Sequence, residues 1–288
     1  MKSVEVFLVN AFTHNGHGGN PAGVVLSAAN LTDEEKLFIA KSVGYSETAF
    51  VSEDPDTDFR VSFYTTTGEV DFCGHATLAT FSTLFRQGVV TAGVYKQHTN
   101  AGLLPVTVHS DGSIIMEQAL PQYLATFTRE QISPLIGLST DILASTGLPI
   151  EVVSTGLPDI IVPVPVGYLD KIRLDDKATS EFCKQHQVVG IHAFELNKHK
   201  NLSTARCRNF APLFAIPEES ATGSASGALA CYLVKQFGNH KRNFVFEQGR
   251  LMGATSQITA ELEYKDNQMV RVLVGGKAGE IGVRQIYL

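Results

Sequence analysis

Apolar and polar residues alternate along Val4-Glu5-Val6 and run apolar through Phe7-Leu8-Val9; they alternate again along Phe59-Arg60-Val61-Ser62-Phe63-Tyr64. A period of two predicts a strand at each place. The period then lengthens, with Leu78, Phe81, Leu84 and Phe85 at steps of three and four and Gly88 just beyond. That spacing predicts an amphipathic helix closed by a glycine and entered at Phe72-Cys73-Gly74-His75. A helix of the same make follows Thr222-Gly223-Ser224-Ala225 and stops at Gly238. Thr32-Asp33-Glu34-Glu35 reads as a capping box, opening a helix that ends near Gly44.

The intervals fill in with shorter pieces. Asn20-Pro21-Ala22-Gly23 turns the chain into a strand at Val24-Val25-Leu26, and strands are predicted at Val94-Tyr95-Lys96, Leu104 to Val108 and Ile114-Ile115-Met116. Gln118 to Gln122 reads as a linker. Beyond it the pattern predicts helices over 129–136 and 178–186, and strands at 152–154, 193–196, 204–210, 270–274 and 282–288.

Shifting the first glycine-led helix by 149 positions lays Cys73 on Thr222, Gly74 on Gly223, His75 on Ser224 and Leu84 on Leu233. Upstream, Asn20-Pro21-Ala22 finds an echo in Leu157-Pro158-Asp159, and Ala49-Phe50 one in Ala193-Phe194, in the same order. Matches in one order through both halves argue for a duplicated chain. A length of 288 residues allows one large domain or two moderate ones, and the duplication favours two.

Composition narrows the class. With 44% hydrophobic and 18% charged residues the chain can bury a full core, and its net charge of −6, without a Lys/Arg cluster, argues against nucleic acid as a partner. The N-terminus lacks the form of a signal peptide, and no window approaches the ~20 apolar residues of a membrane helix. Cys73, Cys183, Cys207 and Cys231 are scattered, so a reducing cytoplasm is the expected setting. The glycines of Thr13 to Gly23 fit neither nucleotide-binding fingerprint, and His14-x-x-His17 lacks further ligands at metal spacing. No pattern requires a cofactor.

Candidate chemistry gathers at the helix starts. Gly74-His75 and Gly223-Ser224 would each present unpaired N–H groups and the positive end of a helix dipole to a carboxylate or phosphate. Glu47, at the mouth of the strand Thr48-Ala49-Phe50-Val51, has two readings. On an exposed edge it is a solvated charge; in a dry cleft it is suited to take and return a proton. Neither Ser224 nor Ser226 lies in a Gly-x-Ser-x-Gly elbow, so serine hydrolysis is not supported.

Five stretches in order, Asn20 to Gly23, Ser46 to Val51, Cys73 to Ala79, Asn209 to Pro212 and Glu219 to Ala225, give the chain a resemblance to the PhzF-like family, named after the phenazine-biosynthesis isomerase. The resemblance covers essentially the whole chain. It implies the diaminopimelate-epimerase fold, an α+β architecture of two similar domains, each a mixed sheet wrapped round a central helix. The implied domains are 1–118 with the returning tail 277–288, and 119–276, with the active site in the cleft between them. It further implies a cofactor-independent isomerase that moves a proton between carbons of a small carboxylated metabolite, and a homodimer.

Carried over to this sequence, the resemblance makes Glu47 the acid/base. It makes Asn20, Gly74, His75, Glu219, Gly223 and Ser224 substrate-binding residues, with Cys73 and Thr222 as further candidates. Two departures stand out. Glu219-Ser220 replaces the family's usual Asp-Pro, and its extra methylene is expected to push the carboxylate deeper into the cleft. Related epimerases use two cysteines, of which Cys73 matches the first while Thr222 replaces the second; a threonine hydroxyl is too weak an acid for that role. An amino-acid epimerase using Glu47 and Cys73, or a non-catalytic binding protein, are the alternative readings.

Overall fold

The computed structural model describes residues 2–197 and 203–288; Met1, which begins the stretch expected to form the first strand, lies outside the described residues. The chain divides into two units, one running through Glu117 and taking in Gly275–Leu288, the other Gln118–Val274. These divisions fall one and two residues before the expected boundaries.

The first unit is built from β1 (Ser3–Ala11), β2 (Asn20–Val25), α1 (Asp33–Val43), β3 (Glu47–Ser52), β4 (Phe59–Tyr64) and β5 (Glu69–Val70). It continues with α2 (Gly74–Arg86), β6 (Gly93–Thr99), β7 (Gly102–Val108) and β8 (Ile114–Gln118). β1 and β2 are antiparallel, β2 and β3 parallel, β3 and β4 antiparallel, and β4 pairs with both β5 and β6. Helix α1 covers one face, packing Ile39, Ala40 and Val43 with Val25, Phe50 and Tyr64. The Thr32 box caps it as the sequence predicts, and Gly44 ends it in the left-handed conformation.

Helix α2 differs from its expected amphipathic form, because every residue from His75 to Leu84 is buried. A helix buried on all sides marks the centre of a fold rather than its surface. Its polar residues are accommodated locally: the Thr80 and Thr83 hydroxyls donate to the carbonyls of Ala76 and Ala79, each at 2.8 Å. Burying Leu78, Phe81 and Leu84 stabilises the unit by roughly 1.5–3 kcal/mol apiece. Between β1 and β2, His14 and His17 bridge each other through both backbone hydrogen bonds.

The second unit contains β9 (Gln122–Phe127), α3 (Arg129–Ile136), α4 (Thr140–Ala144), β10 (Ile150–Ser154), β11 (Pro158–Pro163), α5 (Asp176–His186), β12 (Gly190–Leu196) and β13 (Ala205–Ala211). After these come β14 (Ile216–Glu219), α6 (Gly223–Phe237), β15 (Asn243–Gln248), β16 (Ser256–Lys265) and β17 (Gln268–Gly276). Strand β18 (Ala278–Tyr287) then pairs antiparallel with β1 in the first unit. Strands β5, β9, β11, β14, β15 and β16 and helix α4 lie outside the elements the sequence predicts.

The pairing sequence of the first unit repeats in the second. β10 and β11 are antiparallel, β11 and β12 parallel, β12 and β13 antiparallel, and β13 pairs with both β14 and β15. α6 is the second buried central helix, and α5 covers the opposite face through a cluster that includes Ile160, Val162, Ile191 and Ala193. Duplication thus holds strand by strand, with one correction. Phe50 lies on the α1 face of its sheet, and the residue on the matching α5 face is Ala193, not Phe194. The Ala-Phe echo is one residue out of register, which in a strand means the wrong face. Among the described residues no helix is long and apolar enough to cross a membrane.

Candidate active site

Parallel pairing of β2 with β3 sets Glu47 opposite Ala22 and Thr48 opposite Gly23. The strands run close here, since a Cβ on Gly23 would come within 2.8 Å of the Thr48 hydroxyl oxygen. Glu47 therefore sits at the start of a tightly packed strand, its side chain only 15% exposed. Its Oε2 atom lies 3.2 Å from Nε2 of His75. The contact is a close approach rather than an aligned hydrogen bond.

His75, the second residue of α2, is buried and stands between two groups. Its Nδ1 is 3.3 Å from Sγ of Cys73, and Nε2 is also 3.5 Å from Oγ of Ser46. Thiol, imidazole and carboxylate thus cluster on the turn that starts the helix. Asn20 opens β2, buried, two residues ahead of the Ala22 that faces Glu47.

Cys73 caps α2 with extended backbone and no side-chain capping bond, and the first turn holds no acidic residue. The helix's first N–H groups and its positive end are therefore not neutralised by a capping carboxylate, an arrangement that favours an anionic ligand near Gly74 and His75. The ligating atoms of Glu47, Cys73 and His75 lie within 4.8 Å of one another, a spacing that a metal ion could also use. The helix dipole opposes a cation at this end.

The second unit repeats the helix start. Thr222 caps α6 with extended backbone and again makes no side-chain capping bond, and the first turn of α6 carries no acid. The Thr222 hydroxyl instead donates to Oε2 of Glu219. The Glu219 side chain thus folds back onto its own turn. Gln248 holds that turn together. Its Nε2 donates to the Glu219 carbonyl at 2.7 Å and to Thr222 Oγ1 at 3.0 Å, while its Oε1 accepts from the Thr222 N–H at 3.3 Å. Gln118 and Thr155 donate to the carbonyls of Gly223 and Ser224.

The structure therefore brings Glu47, Cys73, Gly74 and His75 together in one unit, and Glu219, Thr222, Gly223 and Ser224 together in the other. Sequence reasoning missed Ser46 as a contact of His75, although it adjoins Glu47, and missed Gln248, which no local pattern ties to a turn 26 residues earlier. It also missed Asp159, a buried carboxyl on β11.

Comparison with known proteins gives this geometry a family. The model for the phenazine biosynthesis-like proteins matches residues 9–282. The chain is 34% identical over 270 residues to an uncharacterized isomerase, YfhB, of Bacillus subtilis, covering 91% of this chain and 92% of that protein. It is 26% identical to the trans-2,3-dihydro-3-hydroxyanthranilate isomerase of Pseudomonas chlororaphis, covering 98% of each. The crystal structure of a PhzF-family protein from Bacillus anthracis superposes with a TM-score of 0.90 over the full length of both chains at 28% identity. A hydroxyproline epimerase from Agrobacterium vitis shares the fold alone, with a TM-score of 0.64 at 12% identity over 99% of this chain and 91% of that one. Matched by the family model over nearly its whole length and by full-length relatives named as isomerases, the chain is an isomerase of the phenazine biosynthesis-like, or PhzF, family.

Proposed function

We propose that this isomerase moves a proton between two carbons of a small carboxylate-bearing metabolite, with Glu47 as the acid/base. The observation that carries the reading is the 3.2 Å approach of His75 to a largely buried Glu47 at a helix start that favours anions. The Glu47 carboxylate takes a proton from one carbon, leaving the electron pair to shift through the substrate's double bond. The same carboxyl then returns the proton to a second carbon, so the reaction balances without a co-reactant. N–H groups at Gly74 and His75 stabilise the negative charge that builds up in between. Asn20, Glu219, Gly223 and Ser224 complete the proposed substrate-binding set, with Thr222 as a further member.

Cys73 supports a second reading, an epimerase with two bases, because its thiol touches His75. Bases on opposite faces of one carbon stand about 6–7 Å apart, twice the ~3–3.5 Å approach of a reacting pair. The ligating atoms of Glu47 and Cys73 lie within 4.8 Å of each other, which fits one-sided proton transfer better.

Proton NMR in D2O with trans-2,3-dihydro-3-hydroxyanthranilate and a panel of small amino and hydroxy acids tests the reading. A shifted double bond with deuterium at the new C–H position supports it. Exchange at a single stereocentre with inversion and no bond shift would favour the epimerase.

A further inference from the structure

The two units differ at the position of the acid/base. In the first, Ala22 on β2 faces Glu47 on β3; in the second, the corresponding parallel pair is Asp159 on β11 and Gly190 on β12. Gly190 cannot carry a side chain, because a Cβ there would overlap the Phe210 carbonyl. The carboxyl has moved across to the neighbouring strand.

Asp159 is 1% exposed, and neither carboxyl oxygen has a hydrogen-bond partner among the described residues. Strand register carries it toward Glu219. Asp159 pairs with Gly190, His192 follows two residues on along the same face, His192 pairs with Asn209, and Asn209 pairs with Glu219. This face lies opposite the α5 cluster, on the side where α6 packs against β10 and β11. The titratable groups around Asp159 are Glu219 on β14, Cys183 on α5 and His192 on β12. Its β10 partner Val153 and the first turn of α6 bring no charge. His192 is fully buried with Nδ1 3.0 Å from Oδ1 of Asn209, and burial keeps its imidazole neutral.

We propose that Asp159 is a positioning residue that keeps its proton beside Glu219, so that this end of the second unit presents one negative charge, not two, to a carboxylate-bearing ligand. Burial, with the Glu219 charge adding to it, pushes Asp159 up to about 8. Below that pH a ligand carboxylate meets Glu219 alone. Above it a second buried anion repels the ligand, so KM rises while kcat holds. The proposal rests on the reading of Glu219 as a substrate-binding group.

The test is a carboxyl 13C NMR titration of the full chain, labelled at Asp Cγ and Glu Cδ, which needs no substrate. One aspartate is expected to titrate near pH 8 and to be missing from Asp159→Asn. The glutamate resonance missing from Glu219→Gln should shift at the same midpoint in wild type but not in Asp159→Asn. Glu219→Gln should lower the Asp159 midpoint, and this variant keeps the test open should Asp159→Asn not fold. An Asp159 midpoint below about 6, or a Glu219 signal that ignores it, overturns the proposal. With a substrate in hand, wild-type KM should rise about tenfold one pH unit above the midpoint, where about one molecule in eleven is still protonated, and Asp159→Asn should show no rise. A wild-type KM that stays flat across that range also overturns it. Absence of turnover on every compound would count against the isomerisation reading and leave the titration unchanged.

Discussion

Nε2 of His75 stands 3.2 Å from Oε2 of Glu47, and the same ring touches the Cys73 thiol through Nδ1 at 3.3 Å. Because residue 75 is in the first turn of a buried helix and residue 47 opens a buried strand, neither side chain has room to swing away. His75→Asn keeps a polar group at that place but removes the imidazole. The variant should fold normally and lose about 10²- to 10⁴-fold in kcat, the range for a displaced acid/base. Steady-state rates on the substrate identified in D2O measure this, and a kcat within threefold of wild type would remove His75 from the mechanism.

Cys73 shares the ring but has a different expected weight. If Glu47 alone moves the proton, Cys73→Ser preserves the helix cap and leaves kcat/KM within about tenfold of wild type. If the thiol is a second base, the serine hydroxyl cannot replace it, and activity falls by several orders of magnitude. Initial rates for the purified variant decide between these.

Packing around Glu47 can be tested through stability. A Cβ on Gly23 would meet the Thr48 side chain at 2.8 Å from Oγ1 and 3.0 Å from Cγ2. Gly23→Ala should therefore cost about 1–3 kcal/mol, as overpacked cores do. The Thr48 hydroxyl is buried without a hydrogen-bond partner among the described residues, so Thr48→Ala removes the obstacle without breaking a bond. In urea unfolding, the double variant should regain most of the loss, with a coupling energy above about 1 kcal/mol. Additive effects would show that the approach of β2 to β3 is not the constraint.

Two buried groups set an unusual dependence of stability on pH. Asp159 is raised to about 8 from 3.8 by burial and by Glu219, so its contribution is full below pH 3.8 and is lost as pH rises through 8. His192 is lowered to about 4 from 6.5 by burial, so its contribution is lost as pH falls from 6.5 through 4. The two oppose each other between pH 4 and 6.5, leaving Asp159 alone above that. Stability should fall by about 2 kcal/mol between pH 6.5 and 8, at about 1.4 kcal/mol per pH unit. Asp159→Asn should abolish the fall. Urea unfolding at stepped pH measures it, and parallel curves for the two proteins would contradict the assignment.

Much of this arrangement is legible in the sequence where the signal is local. The Thr32 capping box, the glycine-led helices at Gly74 and Gly223 and the strand carrying Glu47 all follow from residues within a few positions of one another. The side of the sheet that a residue occupies does not. Ala193-Phe194 looks like Ala49-Phe50, yet the face of Phe50 corresponds to Ala193, because a one-residue slip reverses every side chain of a strand. The surroundings of Asp159 are not legible locally, because Gly190 and Glu219 approach it through pairing between strands distant in sequence. Gln248 was invisible for the same reason. The spacing of Leu78, Phe81, Leu84 and Phe85 predicts an amphipathic α2, whereas the fold also buries the intervening Thr77, Thr80, Ser82 and Thr83.

The account turns on Glu47 as the group that carries the proton, and deuterium incorporation compared between wild type and Glu47→Gln tests it most directly. The amide keeps the size and most of the packing of the carboxylate but cannot accept a proton from carbon. Wild type should place deuterium on a substrate carbon during turnover in D2O, and Glu47→Gln, folded and binding the same compound, should place none above background. Equal incorporation by both proteins would contradict the account and assign the proton transfer to another group.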